Sequence, residues 1–251
     1  MSGVRDAAAT LARFPKSRPP LPERLEAVYT RHYLENRGGE TPASSLSQRL
    51  ERWLHHQVAA DVKGVAIPGA TLELGAGTLN QLAYEPAGPA YDIVEPFEAL
   101  YTGSPLLGGV RSAYADIHEV PLDRRYQRIT SAAALEHICD LPAVLARAAR
   151  LLAPNGTLRA AIPSEGGFLW TLGWMATTGL EFRLRYGQSY GRLMAHEHVN
   201  TAAEIETLVR ALFEDVEVKS LGVGRQLSFY RFLVARKPRL DVAEAWETRF
   251  A

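Results

Sequence analysis

The stretch Thr71-Leu-Glu-Leu-Gly-Ala-Gly-Thr-Leu-Asn80 decides the fold. An apolar strand carries an acid, Glu73, near its end and runs into Gly75 and Gly77, where the chain must turn tightly toward a helix. Glycines at such a bend let the backbone approach a ligand with no side chain in the way. Downstream, the short apolar runs Tyr91–Val94, Val110–Tyr114, Arg128–Ala132 and Thr157–Ile162 alternate with helical stretches. This alternation predicts a parallel sheet covered by helices, an α/β fold. The clearest intervening helix is Leu141 to Leu152, with Pro142 in its first turn and Pro154-Asn155-Gly156 ending it. Thr201-Ala-Ala-Glu204 predicts a capping box for a helix with Ile205, Leu208, Val209 and Leu212 on one side. Val216–Leu221 and Leu227–Ala235 read as strands joined by a Gly222/Gly224 turn, so a hairpin ends the sheet. The expected order is N-terminal helices, five strand–helix units and that hairpin.

Upstream, residues 1–20 end in Pro15, Pro19 and Pro20, which predicts a flexible arm. Residues 21–66 read as a helical cap. Leu25, Val28 and Tyr29 share one face, Leu46, Leu50, Trp53 and Leu54 another, and Gly38, Gly39 and Pro42 divide the two helices. Residues 67–251 form the main domain, with an insert at 163–200. The 251 residues are 47% hydrophobic and 22% charged, and 28 basic residues balance 28 acidic ones. No net field exists to hold a polyanion or an anionic membrane, so a small-molecule substrate is expected, with neither nucleic acid nor membrane as partner. The expected assembly is a monomer or homodimer. Cys139 is the single cysteine, which excludes an internal disulfide and a cysteine-based zinc array. The longest uncharged stretch, Gly166 to Leu180, is too short to cross a bilayer. The first residues lack the apolar core of a signal peptide, and a cytoplasmic enzyme is expected.

The later acids give the glycine bend its meaning. Glu95 lies twenty positions after Gly75, at the tip of the next strand, where a carboxylate can accept both ribose hydroxyls. Asp116 follows the third strand and can accept from an adenine amino group. Each acid alone would be an ordinary solvated strand-end residue. Three at consecutive strand tips face the edge where open α/β sheets bind ligands. A nicotinamide dinucleotide would need its pyrophosphate over a helix start with a third glycine, and Asn80 stands in that place. Glu73 adds negative charge near where phosphates would lie, which favours a cationic ligand without phosphate.

Glu73-Leu-Gly-Ala-Gly77, Glu95, Ala115-Asp-Ile117, Leu135-Glu-His-Ile138 and Pro154-Asn-Gly-Thr157 together resemble the ordered motifs of class I S-adenosylmethionine-dependent methyltransferases. The resemblance covers roughly Ala70 to Pro163 and departs at Leu79-Asn80, where many members carry another glycine. It implies a Rossmann-like seven-stranded sheet of order 3-2-1-4-5-7-6, with the seventh strand antiparallel and S-adenosylmethionine as cofactor. Glu73 and the backbone of Gly75, Ala76 and Gly77, with Asn80 beyond, would hold the methionine moiety. Glu95, beside Pro96, would take the ribose, and Asp116 and Ile117 the adenine. Ala132 and Ala133 would line the methionine side.

Candidate residues near the acceptor are His137, His196 and His198. In an extended segment His196 and His198 point oppositely, so no metal site is expected. The insert, rich in aromatics and glycines, reads as a substrate lid with Trp170, Arg183, Tyr186 and Tyr190 as candidate contacts. The expected reaction is methyl transfer to an oxygen or nitrogen of a small organic acceptor, such as a sugar or secondary metabolite. The alternatives are an NAD-dependent oxidoreductase and a non-catalytic subunit that binds the nucleoside. DNA amino-methylation is disfavoured because Ala132-Ala-Ala-Leu-Glu-His137 is not an Asn/Asp-Pro-Pro-aromatic loop.

Overall fold

The computed structural model describes residues 2–26, 45–63 and 69–250. Seven strands, β1 (Ala70–Leu74), β2 (Tyr91–Val94), β3 (Ser112–Tyr114), β4 (Tyr126–Ala132), β5 (Leu152–Pro163), β6 (Phe213–Val223) and β7 (Leu227–Pro238), form one sheet. Its order is β3-β2-β1-β4-β5-β7-β6. The first five strands are parallel, and β7 runs antiparallel to both neighbours. The expected order is therefore the observed one. Among the described residues, no helix is long and apolar enough to cross a membrane.

Period-2 alternation gives the sheet two unlike faces. Leu72, Leu74, Ile129, Leu158, Ala160 and Ile162 point one way, into the largest core. Helices α3 (Leu141–Leu151), α7 (Ala202–Leu212) and α8 (Leu240–Phe250) cover that face, contributing Leu145, Leu208 and Trp246. The other face carries Thr71, Glu73, Arg128, Thr130 and Arg159, all buried and polar. It is covered by α2 (Ser45–Val58), whose Leu54 and Val58 pack on Ala161, Phe232 and Val234. Arg128 and Arg159 rise from β4 and β5 to the end of α2 and donate to its last carbonyls, those of Gln57 and Val58, at 2.8–3.0 Å. Cations at a helix C-terminus satisfy orphan carbonyls and oppose the helix dipole.

Two expectations need correction. The described residues of the expected flexible arm, 2–20, begin with a packed helix. Ser2–Leu11 forms α1, which packs on α7, and Leu11 and Phe14 enter the main core. The prolines begin only at Pro15, past the end of α1, and leave that helix intact. The proline-bearing segment is tied down too: Lys16 Nζ donates to Val199 O and to Glu204 Oε2, each at 2.8 Å. Second, no α-helix follows the glycine bend. The β1–β2 connection holds only a 3-10 turn at Asn80–Tyr84. Leu79 takes the left-handed conformation (φ 67) just before it, and Pro86, Gly88 and Pro89 come too soon for a helix to propagate. The β2–β3 connection likewise has only one-turn segments, so full helices follow β4 and β5 alone among the parallel strands. Of the expected helical cap, residues 23–26 are helical, and Leu25 packs in a small core with Phe182 and Leu193. Val28, Tyr29, Gly38, Gly39, Pro42 and the side chains of Leu46 and Leu50 lie outside the described residues.

The capping box is present. Thr201 Oγ1 accepts from Glu204 N at 3.3 Å, and Glu204 Oε2 accepts from Thr201 N at 2.9 Å. Thr201→Ala is expected to lower stability by about 1–2 kcal/mol in urea unfolding; an unchanged midpoint would show that the cap contributes nothing. The insert folds into α4 (Phe168–Trp174), one π turn (Met175–Gly179), α5 (Leu180–Tyr186) and α6 (Tyr190–Glu197).

Candidate active site

A cavity of about 580 Å³ opens at the carboxyl edge of β1, β2, β3 and β4. Gly75 forms its floor at φ 70, where a Cβ would sit 2.4 Å from the Ala134 side chain, so only glycine fits. Glu95, at the tip of β2, lines the wall and is 5% exposed. Its Oε2 accepts from Gly77 N at 2.8 Å and its Oε1 from Phe97 N at 3.1 Å. These bonds lock the carboxylate while leaving each oxygen a further lone pair for a ligand hydroxyl. Pro96, the exposed Asp116 and the buried Ile117 continue the wall beyond β2 and β3. Asp116 Oδ1 accepts from His118 N at 2.8 Å, which fixes its direction. Ala133, held left-handed at φ 51, and Ala134 close the side facing β4.

His137 and His196 both line this cavity, and Arg18 crosses it. Arg18 donates to His137 O and His196 O, each at 2.9 Å, and His196 Nδ1 lies 2.7 Å from Pro19 O. The N-terminal segment thus straps the loop after β4 to the end of the insert. His137 Nδ1 lies 2.9 Å from Glu197 O. Burial disfavours its imidazolium, but the hydrogen bond to Glu197 and the charges of Glu136 and Glu197 prevail and raise its pKa. His198 turns the other way from His196 and pairs with Glu165 at 2.8 Å, while its ring meets that of His137 edge-on, centroids 4.9 Å apart. Burial works against the Glu165 carboxylate, yet hydrogen bonds from His198 and Trp170 hold its pKa below the usual range. Glu136, 1% exposed, completes this group beneath the two rings.

No protein-family model and no curated protein matches the sequence. Solved structures do. The plantazolicin methyltransferase BpumL bound to S-adenosylhomocysteine aligns over 82% of this chain and 90% of its own, at 12% identity and a TM-score of 0.54. The N-methyltransferase NodS of Bradyrhizobium japonicum, with the same ligand, aligns over 78% and 90% at 14% identity and 0.52. An O-methyltransferase family protein of Burkholderia thailandensis aligns over 94% and 70% at 17% identity and 0.52. The chain has the class I S-adenosylmethionine-dependent methyltransferase fold. At these identities the likeness is one of fold, and acceptor chemistry does not pass with it.

Within that fold, several expected site residues lie elsewhere. Glu73 points to the opposite face of the sheet, 2% exposed, where it accepts from Tyr91 Oη at 2.8 Å. Alternation accounts for this: Leu72 and Leu74 take the core face, so Glu73 must take the other. Ala76 packs with Leu79, Tyr91 and Ile93, and Gly77 reaches the cavity only through the N–H that holds Glu95. Asn80 lines a separate depression with Glu51 and His55, because Leu79 redirects the chain. Ala132 packs beneath α2, one residue before the backbone turns toward the cavity at Ala133. In the insert, Trp170 Nε1 donates to Glu165 at 2.7 Å, and its ring stacks on His198 and meets Tyr230 edge-on. Tyr186 and Tyr190 pack on Phe182 in the small core shared with Leu25, and Arg183 is exposed and outside the cavity lining. Sequence reading missed Arg18, Ala134, Ile138, Asp140 and Glu197 as lining residues. Leu135-Glu-His-Ile138 marked the right loop for three of them, whereas nothing local marks Arg18.

Proposed function

We propose that the chain transfers a methyl group from S-adenosylmethionine to an oxygen or nitrogen of a small organic acceptor. The observation that carries this reading is the locked Glu95 carboxylate beside a side-chain-free Gly75 floor, with Asp116 and Ile117 one strand further. Taken strand by strand from β1 through β2 to β3, that is the order methionine, ribose, adenine in which the parts of the ligand are joined. Methyl transfer from a sulfonium is an in-line displacement in which sulfur leaves as a neutral thioether. The protein must align three atoms and exclude water. The strap at Arg18 and the insert enclose the side of His137 and His196, where the acceptor is placed on this reading. A proton lost by the acceptor falls to a base on that side, where His196 also lines the cavity. A dinucleotide fits less well, because no α-helix N-terminus follows the glycine bend to hold a pyrophosphate.

Calorimetry with S-adenosylmethionine and with NADH separates these ligands. Glu95→Ala is expected to weaken S-adenosylmethionine binding by about 1–3 kcal/mol through lost charged hydrogen bonds. Unchanged affinity in that variant, or tight NADH binding with no response to S-adenosylmethionine, would overturn the assignment. Turnover is then sought by mass spectrometry of a metabolite extract incubated with methyl-labelled cofactor. A small labelled product supports the reaction, and bound cofactor without any product against a broad panel favours a non-catalytic subunit.

A further inference from the structure

We propose that Glu136, His137 and His198 form a binding site for one divalent first-row transition-metal ion. Their ligand atoms all lie within 4.8 Å of one another. His137 Nδ1 faces the carbonyl of Glu197 at 2.9 Å, and His198 Nδ1 faces the carboxylate of Glu165 at 2.8 Å. Both partners only accept hydrogen bonds, so each Nδ1–H donates to its partner and Nε2 is the ring nitrogen left for a ligand. Outer-sphere oxygens orient metal-ligating histidines in this way, and Trp170 in turn anchors Glu165 at 2.7 Å.

The buried carboxylate is an independent pointer. Glu136 Oε2 has no hydrogen-bond partner among the described residues, although the side chain is only 2% exposed. Its other oxygen lies 3.8 Å from His137 Nε2, beyond a hydrogen bond. A buried carboxylate oxygen left unpaired is strongly unfavourable, and a cation held by this carboxylate and the two imidazoles offsets the deficit. Metal–ligand bonds of about 2.0–2.2 Å bring such atoms closer together than they stand here, a contraction within the reach of side-chain rotation. Two imidazoles and one carboxylate suit zinc, iron, cobalt or nickel. Three protein ligands also leave positions open toward the cavity that His137 lines, as in sites where the ion binds a substrate oxygen. The ion site is independent of the methyl-transfer reading, because its test needs neither cofactor nor acceptor.

The test uses the full chain without a histidine tag, stripped with chelator and titrated with Zn²⁺ by calorimetry. One equivalent is expected to bind, with a rise in the thermal midpoint. Glu136→Gln and His198→Gln should each weaken binding by at least about tenfold while the apo-protein melts cooperatively. X-ray absorption of the Zn²⁺-loaded wild type, which requires no variant to fold, should show imidazole scattering in a nitrogen and oxygen shell. The proposal is overturned by absence of stoichiometric uptake, by equal affinity in both folded variants, or by a shell containing the Cys139 sulfur or lacking imidazole.

Discussion

Arg128→Ala is expected to lower stability by about 3–5 kcal/mol, shifting the thermal midpoint by roughly 10 °C. The guanidinium is 2% exposed and uses all three nitrogens. Nε and Nη2 clasp Asp61 at 2.9 and 3.1 Å, Nη1 and Nη2 clasp Glu85 at 2.5 and 3.2 Å, and Nη2 also takes the Val58 carbonyl at 3.0 Å. Removing it leaves the Glu85 carboxylate, 3% exposed at its side chain, without this partner. It also frees one of the two cations that pin α2 to the sheet. The cost comes from stranding a charge, so neutralising that charge should recover part of it. Glu85→Gln in the Arg128→Ala background is therefore expected to be less harmful than Glu85→Gln alone. Additive effects in that double-mutant cycle, measured by urea unfolding, would show that the two side chains do not stabilise each other.

Arg128 also shows which parts of the architecture the sequence discloses. The strands are legible because alternation of apolar residues is local, and the acid tips are legible because strand ends recur at a spacing set by the connections. Glu95 was found in this way. Faces are legible only when both neighbours are weighed. Leu72 and Leu74 already assign Glu73 to the side away from the main core, yet its place near a strand tip and the motif resemblance both drew it toward the ligand. The polar underside, where Arg128 meets Asp61 and Glu85 and Arg159 meets Val58 O, joins residues 43 to 101 positions apart. No window of sequence contains such a pairing. The meeting of His198 with His137 is hidden for the same reason: 61 positions separate them, and weighing His198 only against His196 pointed away from any shared site. The missing helix after the glycine bend was foreshadowed by Pro86 and Pro89, whose spacing leaves room for only one turn.

The pH dependence of stability is expected to report directly on where Glu73 lies. Burial, opposed only in part by the Tyr91 hydrogen bond, pushes its carboxyl from 4.5 up to about 8. The folded chain then holds a proton that the unfolded chain releases above pH 4.5. Between those two values the native state binds more protons than the unfolded state, so stability falls as pH rises. The contribution is fully present below the unfolded pKa and is lost as pH passes the folded one. Integrated over that window, the loss is on the order of 4 kcal/mol. Glu73→Gln keeps an acceptor for Tyr91 Oη and cannot ionise, so its unfolding free energy should lack that decline and exceed that of the wild type by a margin growing from pH 5 to pH 8. Parallel curves for the two proteins would show that the carboxyl titrates alike in the folded and unfolded chain and is not buried as described. The same variant separates cofactor contact from fold support. If Glu73 faces away from the cavity, Glu73→Gln should disturb S-adenosylmethionine affinity far less than Glu95→Ala does, whereas a carboxylate that grips the methionine amino group would make the two losses comparable.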